Sequence, residues 1–132
     1  MRAPAYLSRY RETQVATATP GELVLLLYEA AVTALREARR QVEEGAPAEA
    51  HKALIKAQRV VGELLDALKP DQGGSLAQDL GDIYRFVLRH LAEANLRKDP
   101  EMVAEALELL APLRDAWLQI VRPPSAAAAP GD

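Results

Sequence analysis

The strongest constraint on this chain is a run of six apolar residues, Leu23 to Tyr28, set directly behind Thr19-Pro20-Gly21-Glu22. Thr with Glu three residues later forms a capping box, and proline suits a first helical turn, so a helix starts here. A helix this apolar must be covered by lipid, by its own chain or by another chain. Lipid fails on length. Extended to Leu35, the segment has 13 residues and already contains Glu29, against the roughly 20 that a bilayer demands.

The rest of the chain offers cover of its own kind. Gly45 supplies a left-handed stop after Glu44, and Pro47 opens a second helix striped by Ala50, Leu54, Ala57, Val61, Leu64 and Leu68. Lys69-Pro70 and Gly73-Gly74 end it. Ser75 with Gln78 forms another capping box, ahead of the stripe Leu76, Leu80, Ile83, Val87, Leu91 and Ala94. Asp99-Pro100 caps a fourth helix, striped by Val103, Ala106, Leu110, Leu113, Trp117 and Ile120. The spacing predicts helices over residues 19–44, 47–69, 75–98 and 100–121. With loops this short, the fold expected is all-α, an antiparallel up-down four-helix bundle. Pro112 removes the bond to the Glu108 carbonyl and is expected to kink the fourth helix without splitting it. Residues 1–18 read as an N-terminal arm, and residues 123–132 as a disordered tail with nothing to pack.

Composition excludes most chemistry. At 132 residues the chain is one domain with a real core. It has no cysteine, which removes disulfides, thiol catalysis and cysteine metal sites. The stretch MRAPAYLSRYRE shows no secretory h-region, so a cytoplasmic location is expected. A net charge of −3 with interleaved signs gives no footprint for nucleic acid or an anionic membrane. Neither His51 nor His90 lies three residues after a Glu, so the Glu-x-x-His pattern of metal bundles is missing. Ser8, Ser75 and Ser125 read as turn, cap and tail residues. The carboxylates read as a solvated, salt-bridged surface. A non-enzyme without cofactor or metal is the expectation.

Projection at about 100° per residue divides the first helix. Leu23, Val24, Leu27, Ala31, Ala34, Leu35, Ala38 and Val42 form the core face, opposite Glu22, Glu29, Thr33, Arg36, Glu37, Arg40 and Glu44. Leu25 and Leu26 break the order, about 60° and 40° from the polar axis. On the second helix Ile55 points about 140° away from its stripe, on a flank shared with His51, Gln58 and Gly62. A mid-helix glycine costs about 1 kcal/mol relative to alanine, and close approach of another backbone is one reason to keep it. Leu25, Leu26, Ile55, Gln58 and Gly62 are therefore expected either to be covered by the arm or the fourth helix or to form an apolar groove for a partner helix. The two agree if the arm covers the groove only while the partner is absent. In the arm, Tyr6, Leu7 and Tyr10 can share one side of a helical turn, with Val15 following. Those four are expected to act as a movable lid on the groove.

Several stretches resemble a known family. Tyr10, then Val15 to Leu23, then Leu27-Tyr28-Glu29, look like the N-terminal signature of the flagellar secretion chaperone FliS family. Lys56 to Val61 with Glu63-Leu64, Tyr84 with Arg89, Leu91 to Asn95 and Leu113 to Trp117 follow in order. The resemblance covers residues 10 to 120 and implies a small cytosolic bundle that binds the C-terminal segment of flagellin before flagellar type III export. It departs at Ala30, where the family often has glycine, and at Pro112. The competing expectation is a structural helical module, or an obligate homodimer using the same patch on itself, with no flagellin client.

Overall fold

The computed structural model describes residues 18–123, the side chains of residues 70–73 excepted. The expected arm, with Tyr6, Leu7, Tyr10 and Val15, lies outside the described residues, as does the tail from residue 124. Four helices account for the described chain: α1 Pro20–Glu43, α2 Pro47–Asp66, α3 Pro70–Arg97 and α4 Pro100–Val121. α1 packs on α2 and α4, and α3 packs on the same two neighbours. This ring of adjacent contacts is that of a four-helix bundle, as the sequence pattern predicts. Alternating chain direction puts the α1–α2 and α3–α4 turns at one end, with the α2–α3 connection, the start of α1 and the end of α4 at the other.

Local chemistry sets the helix limits. Thr19 Oγ1 accepts the Glu22 amide at 3.2 Å and opens α1. At its other end Gly45 takes φ 74°, while the amides of Gly45 and Ala46 bond Val42 and Gln41 at 3.1 and 2.9 Å. That pairing is a Schellman closure, which satisfies the last free carbonyls. Lys98 closes α3 the same way at φ 52°, and Asp99 caps α4 by accepting the Glu101 amide at 2.9 Å. α2 stops at Asp66, a turn earlier than its stripe suggests. α3 includes a leading turn from Pro70, broken at Gly74 by φ 56° and ψ −137°, so its regular course begins at Ser75. Ser75 and Gln78 form no capping-box hydrogen bond among the described residues. α4 runs through Pro112 as one helix, with the proline on the exposed side.

The core is contiguous and aliphatic apart from Tyr28 and Tyr84: Ala31, Leu35, Leu54, Val61, Leu91 and Leu110 are all fully buried within it. Charged residues stay outside and pair along their own helices, as Arg40 does with Glu37 and Glu44 and Arg97 with Glu93. Such exposed pairs contribute little to stability.

The face assignment of α1 needs one correction. Leu25 is 1 % exposed, not on the surface, while Leu23, expected in the core, is 37 % exposed. The reason is the number of neighbours. α1 lies against two helices at once, so about half its circumference is covered, and the covered arc is rotated toward Val32. Leu27 packs on the core as expected, though partly exposed.

Candidate functional site

An apolar cavity of about 300 Å³ opens at the end of the bundle that carries the α2–α3 connection. All four helices contribute to it. Val24 and Tyr28 come from α1, Leu64 from α2, Leu80 and Tyr84 from α3, and Trp117 from α4, with Leu68 and Lys69 from the connection. The cavity lies where α2 has ended at Asp66 and the α3 stripe begins only at Leu76. Its surroundings are equally apolar. Leu76 is 65 % exposed, and Ile120, in the last turn of α4, is 66 % exposed. Isolated exposed leucines are ordinary, but apolar side chains clustered about an apolar opening mark an interaction site.

The tyrosines of this cavity meet across the bundle. Tyr28 and Tyr84 lie on diagonal helices, are each 2 % exposed, and their hydroxyls hydrogen-bond to one another. Their rings sit 6.3 Å apart at 59°, the tilted geometry that aromatic quadrupoles favour. Burial pushes both phenols above their ordinary pKa, because a phenolate there would lose its water. For Tyr28 the bond from Tyr84 offsets part of that rise, whereas for Tyr84 the bond adds to it. Both are neutral at any physiological pH. Trp117 makes the remaining polar contact of the region, donating from Nε1 to the Gly21 carbonyl at 2.8 Å. It ties the last turns of α4 to the first turn of α1.

Among the described residues, no group of three His, Asp or Glu side chains could hold a metal ion. His90 stacks on Phe86 and bonds Glu105 at 2.8 Å, and His51 accepts from Asn95 at 2.8 Å. Each imidazole bridges two helices on the surface. No described helix is long and apolar enough to cross a membrane.

The residues expected to form one groove are divided between two places. Leu25 is buried on α1, and Leu26 is partly covered beside it. Ile55, Gln58 and Gly62 lie half-buried on α2, on the flank toward α3. That placement follows from their helical neighbours: His51 bonds Asn95 of α3, and Leu65 lines a second cavity with Ala77, Gly81 and Arg85 of α3. α1 and α3 sit on the diagonal, so the two sets do not share a surface.

Comparison with known proteins decides what kind of bundle this is. Residues 2–124 match the sequence profile of a family described as Flagellar protein FliS. The chain belongs to the FliS family. It is 34 % identical over 113 residues to the Flagellar secretion chaperone FliS of Bacillus subtilis (strain 168), covering 86 % of this chain and 84 % of that protein. With the protein of the same name from Salmonella typhimurium (strain LT2) identity is 35 % over 117 residues, covering 88 % and 87 %. The Escherichia coli (strain K12) FliS is 29 % identical over 122 residues, or 92 % and 90 %. This is a family of chaperones rather than of enzymes.

Residue patterning did not reveal this cavity. Tyr28, Tyr84 and Trp117 each fall in a different stretch of the FliS-like signature, yet all three line one opening. The available signal was scarcity. Aromatic residues make up only 5 % of the chain, so three converging from distant stretches was a pattern worth testing.

Proposed function

We propose that this protein is a cytoplasmic export chaperone that holds the C-terminal segment of newly made flagellin until the flagellar type III export gate takes it. Membership of the FliS family supports the class of function. The observation that carries the reading is the open apolar end of the bundle, with its cavity and the exposed Leu76 and Ile120. A disordered client with apolar stripes would otherwise pair with its own kind too early. Seating those stripes on the chaperone prevents premature polymerisation. Folding upon binding gives a large interface whose affinity is reduced by ordering entropy, which suits a client that must be released. No cofactor enters this scheme.

The arm fits the same scheme as a lid. Tyr6, Leu7, Tyr10 and Val15 are proposed to rest near Leu25 and Leu26 until the client displaces them. Leu25 supports this: it is buried yet does not belong to the contiguous core. A tethered segment reaches millimolar effective concentration, so a weak contact suffices.

Co-purification with intact flagellin and with flagellin lacking its C-terminal segment tests the proposal. Capture of the first and not the second, as a complex of defined mass by light scattering, is expected. Equal capture of both, or a homodimer indifferent to the segment, overturns it. Deleting residues 2–14 should leave the bundle folded and raise the client on-rate. A collapse of affinity would instead make the arm part of the grip.

A further inference from the structure

Four side chains around the cavity at the open end carry a hydrogen-bond donor: Tyr28, Lys69, Tyr84 and Trp117. The Trp117 N–H is committed to the Gly21 carbonyl. Lys69 is exposed, so its ammonium stays in water. The phenols differ from both. Each hydroxyl carries one hydrogen, and the bond between Tyr28 and Tyr84 uses only one of the pair. Whichever phenol donates, the hydrogen of the other has no acceptor among the described residues. Both side chains are 2 % exposed. A buried donor without an acceptor destabilises a fold, and in a native structure such a group calls for an explanation.

The cavity supplies one. Its volume of about 300 Å³ is about twice that of an apolar cavity that takes benzene, so it has room for a body of about two fused rings. Val24, Leu64, Leu80 and the Trp117 ring give it carbon walls. Water is a poor occupant. A buried water is held by roughly two to four polar groups, and the buried lining side chains offer only the hydroxyl pair. A carboxylate is a poor one too, because carbon walls would strip its hydration in exchange for one hydrogen bond. Burial holds both phenols neutral, so the pair donates a hydrogen rather than drawing in a cation.

We propose that this cavity binds a small uncharged molecule, an apolar body of about two rings with one carbonyl oxygen that accepts the spare phenolic hydrogen. The walls supply most of the affinity, and the single hydrogen bond supplies orientation and selectivity, the usual division in small-molecule sites. The inference goes beyond the chaperone reading. It gives the open end a ligand of its own, and its test needs no flagellin.

Calorimetric titration of the full chain with α-tetralone, and with its carbon isostere in which a methylidene group replaces the carbonyl oxygen, tests this. α-Tetralone should bind at a single site, about five- to ten-fold more tightly than the isostere, as expected when a buried donor gains an acceptor. Hydrogen counting then sets the behaviour of the variants. Tyr28→Phe and Tyr84→Phe each leave one hydroxyl with its hydrogen free, so each should keep the preference for the ketone. The double variant Tyr28→Phe/Tyr84→Phe has no such hydrogen and should bind the two probes equally. Leu80→Trp, which fills the cavity from a half-buried position, should abolish binding of both. An unaltered protein that ignores α-tetralone, or binds the two probes equally, would overturn the inference. So would a double variant that keeps the preference, or undiminished binding in Leu80→Trp. If the double variant does not fold, the two probes on the unaltered protein decide the matter alone.

Discussion

The two ends of this bundle are built on opposite plans. At the end holding the α1–α2 and α3–α4 turns, every chain reversal is tight and satisfied. Gly45 and Lys98 close their helices in the left-handed conformation. Lys98 Nζ reaches the Asn95 carbonyl and side chain at 2.6 and 2.7 Å, and Asn95 passes the network on to His51. At the other end α2 stops short, Gly74 breaks the backbone of α3, and an apolar cavity remains among Tyr28, Leu64, Tyr84 and Trp117. One end is finished by its own chain. The other keeps an apolar opening, the surface to which the proposed function assigns the client.

The largest expected effect breaks the shared core beneath both ends. Leu64→Glu places a charge where the side chain is fully buried in the contiguous core, so it should cost several kcal/mol and abolish the cooperative melt. Leu25→Glu, at a residue buried outside that core, should cost less. A Leu25→Glu protein that melts like the wild type would restore the surface assignment of that residue.

Next comes the tyrosine pair. Both phenols titrate above their ordinary value of 10.0 when folded. The unfolded chain therefore releases these protons first as pH rises. Stability contributed by the neutral pair is complete below about pH 10 and drains away above it. Denaturant melts at pH 9 and pH 11 should show the loss, and Tyr84→Phe should make it smaller. An unchanged slope in that variant would place the alkaline sensitivity elsewhere.

Smaller again is Gly45→Ala at the closed end. Its φ of 74° disfavours any side chain, so the substitution should cost about 1 kcal/mol, read as a drop of several degrees in melting temperature. Leu76→Glu at the open end should cost less than about 0.5 kcal/mol, because the residue is mostly exposed. Client affinity should nevertheless fall. If the two substitutions exchanged their rank in stability, the contrast between the ends would be wrong.

Much of this was legible in the sequence, for identifiable reasons. Helix starts and stops are decided within a few residues, so Thr19, Gly45, Pro47 and Asp99 announced them. Family membership was legible because short signatures occur in a fixed order along the chain. The depth of Leu25 was not, because a single helical projection does not say how many neighbours the helix will have. Nor was the Tyr28–Tyr84 bond, whose partners are 56 residues apart. Gly62 stood out from the sequence as an anomaly, and in the fold it remains one: no part of the bundle approaches it.

The bond from Trp117 to the Gly21 carbonyl has an experimental consequence. This indole is the only one in the chain, it borders the open cavity, and it is anchored where α4 meets the first turn of α1. Its fluorescence therefore carries a single, assignable signal from the end of the molecule where occupancy is in question. Emission wavelength and quenching by iodide can follow the arrival of any occupant in real time, without an attached dye or a second indole to correct for.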